Sequence, residues 1–72
     1  MTKKEAQRAF TQEVNATAQA WMTEFGDDPL DTEWSGIAFE DIDSAILTAL
    51  AMDNPWRTFH DAVQARIDEL NV

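Results

Sequence analysis

Residues 2–26 read TKKEAQRAFTQEVNATAQAWMTEFG, and this stretch carries the signals of one long helix. Thr2 and Glu5 have the spacing of a capping box, in which each side chain bonds the other residue's free backbone N–H. Gly26 is suited to end the helix, because glycine readily adopts the left-handed conformation found there. Between these signals, apolar residues recur at the three- and four-residue spacing of one helix face: Ala6, Phe10, Val14, Ala18, Trp21 and Phe25. The sequence predicts a helix over residues 3–25, about 34 Å long.

Two further helices are predicted, over residues 38–52 and 55–70. The first has a buried face made of Phe39, Ile42, Ile46, Ala49 and Leu50. The second starts after Asn54, a favourable N-cap, with Pro55 at its first position, and carries Trp56, Phe59, Val63, Ile67 and Leu70. No segment alternates with the two-residue period of a strand. The prediction is an all-α protein: a compact three-helix arrangement with a long N-terminal helix, in one small domain spanning residues 1–72.

The segment 26–37 is predicted to be an acidic linker, since it holds both glycines and Pro29. Asp28 before Pro29 can cap a single short helical turn that extends to Trp34. Trp34 lies in a polar context, which leaves two interpretations open. It either covers the helices or contacts a partner, as tryptophan often does at interfaces.

The size of the chain raises the question of what stabilises it. A domain of 72 residues buries only about 60% of the surface that its unfolded chain exposes. Small domains therefore usually rely on disulfides, a metal or self-association. The chain has no cysteine and one histidine, which argues against disulfides and against zinc sites built from these residues. Small residues on the first helix permit close approach of a second helix, so a homodimer is one option: Ala16, Ala18 and Ala20. The alternative is that these alanines serve helix propensity alone.

Charge is the most unusual property of the sequence. Fourteen acidic residues oppose five basic ones, for a net charge of −9, and no basic residue occurs between Ala9 and Trp56. Such a field repels nucleic acid and favours basic partner surfaces. The acids with Trp34 among them form the predicted partner-binding residues: Asp27, Asp28, Asp31, Glu33, Trp34, Glu40, Asp41 and Asp43. The alternative is that the acids only confer solubility or reflect a salt-adapted source.

The inventory of reactive residues argues against catalysis. His60 is the single histidine, and cysteine and tyrosine are absent. A set of Ser44, His60 and Asp61 can be written down, but its spacing does not support a triad, and we expect His60 to be a surface or boundary residue. The acidic loop lacks the ligand pattern of an EF-hand. We therefore predict no catalytic residue, no cofactor and no metal site, and a protein that is not an enzyme.

These observations favour a small acidic inhibitor that binds a basic, for instance nucleic-acid-binding, surface of a larger protein or nucleoprotein complex. Direct binding of nucleic acid is not expected, and neither is a membrane location, because no apolar run reaches about 20 residues. The N-terminus does not resemble a signal peptide, so we expect a cytoplasmic protein. The alternative function is a helical homo-oligomeric assembly or regulatory module whose acids only confer solubility. In size, acidity, lack of cysteine and helical character, the chain resembles small phage-encoded inhibitors, including some anti-CRISPR proteins; no motif carries this likeness, and it assigns no functional residues.

Overall fold

A computed structural model describes residues 1–71 and shows a compact all-helical protein, as predicted. Its helices are α1 (Lys3–Phe25), α2 (Thr32–Glu40), α3 (Ser44–Leu50) and α4 (Pro55–Leu70). No strand occurs within the described residues. The molecule measures 34 × 22 × 17 Å, so its longest dimension matches the length expected for α1.

Helices α1 and α4 span the predicted residues, and the predicted cap forms at the start of each. The hydroxyl of Thr2 accepts the N–H of Glu5 at 3.1 Å, and the Glu5 carboxylate accepts the N–H of Thr2 at 3.0 Å. Gly26 ends α1 with a φ of 67°. The side chain of Asn54 accepts the N–H of Arg57 at 3.2 Å and caps α4.

The predicted three-helix count is wrong, because the chain between α1 and α4 forms two helices. Residues 38–52 are not one helix, and residues 26–37 are not all linker, since α2 begins at Thr32. The carboxylate of Asp31 accepts the N–H of Trp34 at 2.9 Å and caps the start of α2. The sequence analysis instead expected Asp28 to cap a single helical turn in this region. Aspartate side chains bond nearby backbone N–H groups, so they favour helix starts over helix interiors.

A second aspartate starts α3 after the short non-helical segment 41–43. The carboxylate of Asp43 accepts the N–H of Ala45 at 2.9 Å, so it caps α3 rather than continuing α2. Ala51 then adopts a left-handed conformation with a φ of 51°, which ends α3 two residues before the predicted end at Met52. The acidic residues of this region therefore divide the predicted helix into two.

The core lies between α1 and the other helices. Helices α3 and α4 pack against α1, and α2 packs against α4. The predicted stripe of α1 is buried except for Phe25, and that of α4 is exposed at Leu70. The buried apolar side chains are Ala6, Phe10, Val14, Ala18, Trp21, Leu30, Ile42, Ile46, Leu50, Phe59, Val63 and Ile67. Ala18 is fully buried in this core, so it cannot contact a second copy of the folded chain, whereas Ala16 and Ala20 are exposed.

Candidate protein-interaction surface

Seven carboxylates are concentrated between residues 27 and 43 of the sequence. They lie in the loop after α1, on α2 and in the turn that leads into α3, and we call them the acidic belt: Asp27, Asp28, Asp31, Glu33, Glu40, Asp41 and Asp43. Every one of these residues is exposed to solvent. The belt therefore presents its charge outward and pays little desolvation before a partner arrives.

No basic side chain neutralises the acidic belt within residues 1–71. The ion pairs are Arg57–Asp61 at 3.3 Å and Arg66–Glu69 at 3.0 Å, both exposed on α4 and both outside the belt. Arg8 on α1 lies about 25 Å along the helix from Phe25, whereas charges are screened over about 8 Å at physiological salt. No member of the belt therefore has an ion-pair partner within the described residues.

Two members of the belt have a structural role as well. Asp31 and Asp43 cap α2 and α3 through their carboxylates, and charge at a helix N-terminus also interacts favourably with the helix dipole. The carboxylates of the other five form no side-chain hydrogen bond or ion pair within residues 1–71: Asp27, Asp28, Glu33, Glu40 and Asp41. These five can be changed without removing a helix cap.

The loop that carries the first acids is anchored to two helices. The indole N–H of Trp21 donates to the backbone carbonyl of Asp28 at 2.9 Å. The N–H of Leu30 donates to the side-chain oxygen of Gln64 on α4 at 2.9 Å, and the Leu30 side chain is buried. These contacts anchor the loop to α1 and α4.

Trp34 is half-buried and covers the end of α1. Its ring lies 5.1 Å from that of Trp21 and 6.4 Å from that of Phe25. It also lines an open groove of about 750 Å³ together with Ala16, Gln19, Ala20, Thr23 and Glu24. The structure thus shows the covering role, and the exposed part of the ring leaves a partner contact as a prediction.

His60 is buried, with 8% exposure, which corrects the expectation of a surface or boundary residue. Its Nδ1 lies 2.7 Å from the hydroxyl oxygen of Ser35, a different serine from the Ser44 considered above. Asp61 instead forms an ion pair with Arg57. Ser35 is fully buried, so its hydroxyl is inaccessible to a substrate, and the Ser35–His60 contact joins α2 to α4.

Sequence reasoning missed Ile37, which it placed at the end of a linker. Ile37 lies within α2 and is 62% exposed. The four-residue spacing of Trp34 and Ala38 after the capping residue Asp31 is the signal that predicts this helix. Exposure of the isoleucine depends on which face α2 turns toward α4, and no local pattern specifies that.

Residues 1–71 contain no group of three or more histidine, aspartate or glutamate side chains arranged to hold a metal ion. None of the helices within that range is both long and apolar enough to cross a membrane. No protein-family model matches the chain, and comparisons with curated proteins and with solved structures give no significant match.

Proposed function

We propose that this protein inhibits a larger protein or nucleoprotein complex by docking its acidic belt on a basic surface of that partner. The observation that carries the proposal is the set of seven exposed carboxylates without an ion pair among the described residues. A surface that binds nucleic-acid phosphates has the complementary charge. Occupation of such a surface blocks it, which is the mode of inhibition we propose.

The physical chemistry favours a protein partner over nucleic acid. A net charge of −9 repels phosphates, and complementary charge accelerates association with a basic surface. The anchored loop and the two capped helices hold the belt rigid, which lowers the entropic cost of binding. The proposed action is binding in the cytoplasm, without catalysis and without a cofactor, in the manner of phage-encoded inhibitors of host or CRISPR machinery.

The experiment compares two charge-reversed variants as baits and as purified proteins. The belt variant carries Asp28→Lys, Glu33→Lys and Asp41→Lys, none of which caps a helix through its side chain. The control variant carries Asp53→Lys, Asp61→Lys and Glu69→Lys, three exposed acids outside the belt. Each variant takes the net charge from −9 to −3, because each reversal changes it by two units.

We expect the wild-type chain to retain a basic partner from lysate at low salt and to release it at high salt. With that partner purified, the belt variant should bind at least about tenfold more weakly, while the control variant binds within about threefold of wild type. Circular dichroism checks that both variants stay helical. Unchanged affinity of the belt variant, or equal losses in both variants, would contradict a localised acidic docking surface.

A second candidate function is the homo-oligomeric module, which the open groove beside α1 favours. Ala16 and Ala20 are exposed on this groove and allow close approach of another helix, and Trp34 borders it. Under this proposal the chain self-associates, and the acidic belt only maintains solubility. Sedimentation as a monomer at micromolar concentration would exclude it.

A further inference from the structure

One exposed apolar side chain stands apart from the others. The exposed large apolar residues of the described chain are Met1, Phe25, Ile37 and Leu70. Met1 precedes α1, whereas Phe25 and Leu70 are the last residues of their helices, where apolar groups are often left partly uncovered. Ile37 alone among these four lies in the interior of a helix, and it is 62% exposed.

The neighbours of Ile37 on the helix surface are mostly acidic. Glu33 precedes it by four residues, and Glu40 and Asp41 follow it by three and four, so all three lie on the same face of α2. Trp34 borders this face on its other side. An apolar centre with a charged rim is the usual anatomy of a protein–protein contact.

Gly36 supplies an independent observation on the same helix. A Cβ atom added there meets nothing within 4 Å, and the positive φ angles in the described chain belong to Gly26 and Ala51. Alanine at this position therefore fits the fold and favours the helix more strongly than glycine does. Gly36 lies between Glu33 and Glu40 on the helix surface, where a missing side chain lets another molecule approach the backbone.

We propose that the outer face of α2 is the centre of the contact, with Ile37 inserted into an apolar pocket that lysine and arginine side chains of the partner surround. The partner backbone or a side chain packs over Gly36. This inference rests on the proposed function and adds to it the apolar chemistry of the partner site. A second copy of the chain does not fit, because a twofold contact on this face would bring Glu33, Glu40 and Asp41 close to their own copies.

The two kinds of residue should affect binding in different ways. Acids at the rim steer the encounter, so they govern the association rate and its dependence on salt. An apolar side chain in a pocket acts over short distances, so it governs the dissociation rate and leaves the salt dependence unchanged. This difference separates the role of Ile37 from that of the acidic belt.

The test uses the purified partner that the wild-type chain retains at low salt and releases at high salt. Binding rates are measured for wild type and for Ile37→Ala, Gly36→Ala and Leu70→Ala, the last being a matched control at an exposed apolar residue outside the belt. Both changes on α2 raise helix propensity, so the melting temperature should hold or rise and weaker binding cannot reflect unfolding. We expect Ile37→Ala and Gly36→Ala each to weaken binding about tenfold through faster dissociation, with the salt dependence of wild type.

The outcomes separate this inference from the proposed function. If Ile37→Ala and Gly36→Ala bind as wild type does while the belt variant loses binding, the inference is overturned and the proposed function stands. If Leu70→Ala weakens binding as much as Ile37→Ala, the contact is not centred on α2 and the inference is again overturned. If the belt variant binds as wild type does, or the bait retains only copies of itself or nothing beyond the control bait, the proposed function and the inference both fail.

Discussion

The hydroxyl oxygen of Ser35 lies 2.7 Å from Nδ1 of His60, in a contact that joins α2 to α4 away from solvent. The same hydroxyl donates to the backbone carbonyl of Thr32 at 3.2 Å. When the hydroxyl proton is donated to Thr32, Nδ1–H of the ring is the donor to the Ser35 oxygen; in the other tautomer, the hydroxyl donates to Nδ1. The ring also packs 5.3 Å from that of Trp56. This contact holds α2, which carries Glu33 and Glu40 of the acidic belt, against α4.

Replacement of Ser35 by alanine should destabilise the protein. The change leaves Nδ1 of His60 buried without a partner, at a cost of about 1–3 kcal/mol. In a domain of this size, each kcal/mol lowers the melting temperature by about 4–8 °C. Thermal unfolding followed by circular dichroism measures the effect, with Ser44→Ala as a control at an exposed serine. If both alanine variants melt at the wild-type temperature, the buried hydrogen bond does not hold α2.

Two substitutions at Asp31 should separate its capping role from its charge. Asp31→Asn keeps an oxygen that can accept the N–H of Trp34, so stability should change by only a few tenths of a kcal/mol. Asp31→Ala removes the cap and should cost about 1 kcal/mol in the free energy of unfolding, measured in urea. Both substitutions remove the same charge, so the proposed function requires equal losses of partner affinity. A loss confined to Asp31→Ala would show that helix formation, and not charge, determines binding.

Helices α1 and α4 could be predicted closely because signals for their ends are local. A cap precedes each apolar stripe and Gly26 follows that of α1, and Thr2 with Glu5 is an example in which the side chains interact as their spacing indicates. The region between them was predicted less well, because the apolar spacing from Phe39 to Ile46 continues across the non-helical residues 41–43 that separate α2 from α3. The carboxylate of Asp43 bonds the backbone N–H of Ala45 and so starts a new helix, and this hydrogen bond decides where α3 begins.

For the candidate site, the sequence shows which residues are acidic, whereas their exposure and ion pairing depend on the fold. Seven of the eight predicted residues could be chosen from charge density alone, and Trp34 was added because it lies among them. The lack of ion pairs depends on where α4 places Arg57 and Arg66. Ser35 and His60 are 25 residues apart, and no sequence pattern pairs them. Ile37 was missed for the same reason, since its exposure follows from how α2 packs against α4.

The capping box at the start of α1 should make stability depend on acid pH. The backbone N–H and then the hydroxyl of Thr2 hold the pKa of the Glu5 carboxyl below its ordinary value of 4.5. A pKa lowered by folding contributes stability that is present above about pH 4.5 and is lost as pH falls through the folded value. NMR titration of the Glu5 carboxyl should give a midpoint below 4.5 in wild type and a midpoint closer to 4.5 in Thr2→Ala. A midpoint at the ordinary value in wild type would show that the box is not formed in solution.

A glutamate at Ala18 should destabilise the fold strongly, whereas a glutamate at Ala20 should hardly affect it. Ala18 is fully buried, so Ala18→Glu places an unpaired carboxylate in the core and should cost several kcal/mol, enough to unfold a small domain. Ala20 is exposed on the groove that Trp34 borders, so Ala20→Glu should change stability by no more than about 0.5 kcal/mol. Circular dichroism and thermal unfolding distinguish the two. Equal melting temperatures would mean that Ala18 does not lie in the core.

Because Ala20→Glu leaves the fold intact, it decides between the two candidate functions. The homo-oligomeric proposal requires close approach at the groove beside α1, so a glutamate there should dissociate the assembly and abolish function together. The inhibitor proposal places the contact on the acidic belt and on Ile37, so Ala20→Glu should leave partner affinity within about threefold of wild type. Sedimentation velocity and partner binding, measured on the same preparation, report both quantities. Retained binding by a monomeric Ala20→Glu variant would exclude the homo-oligomeric proposal, and lost binding with a dissociated oligomer would exclude the inhibitor.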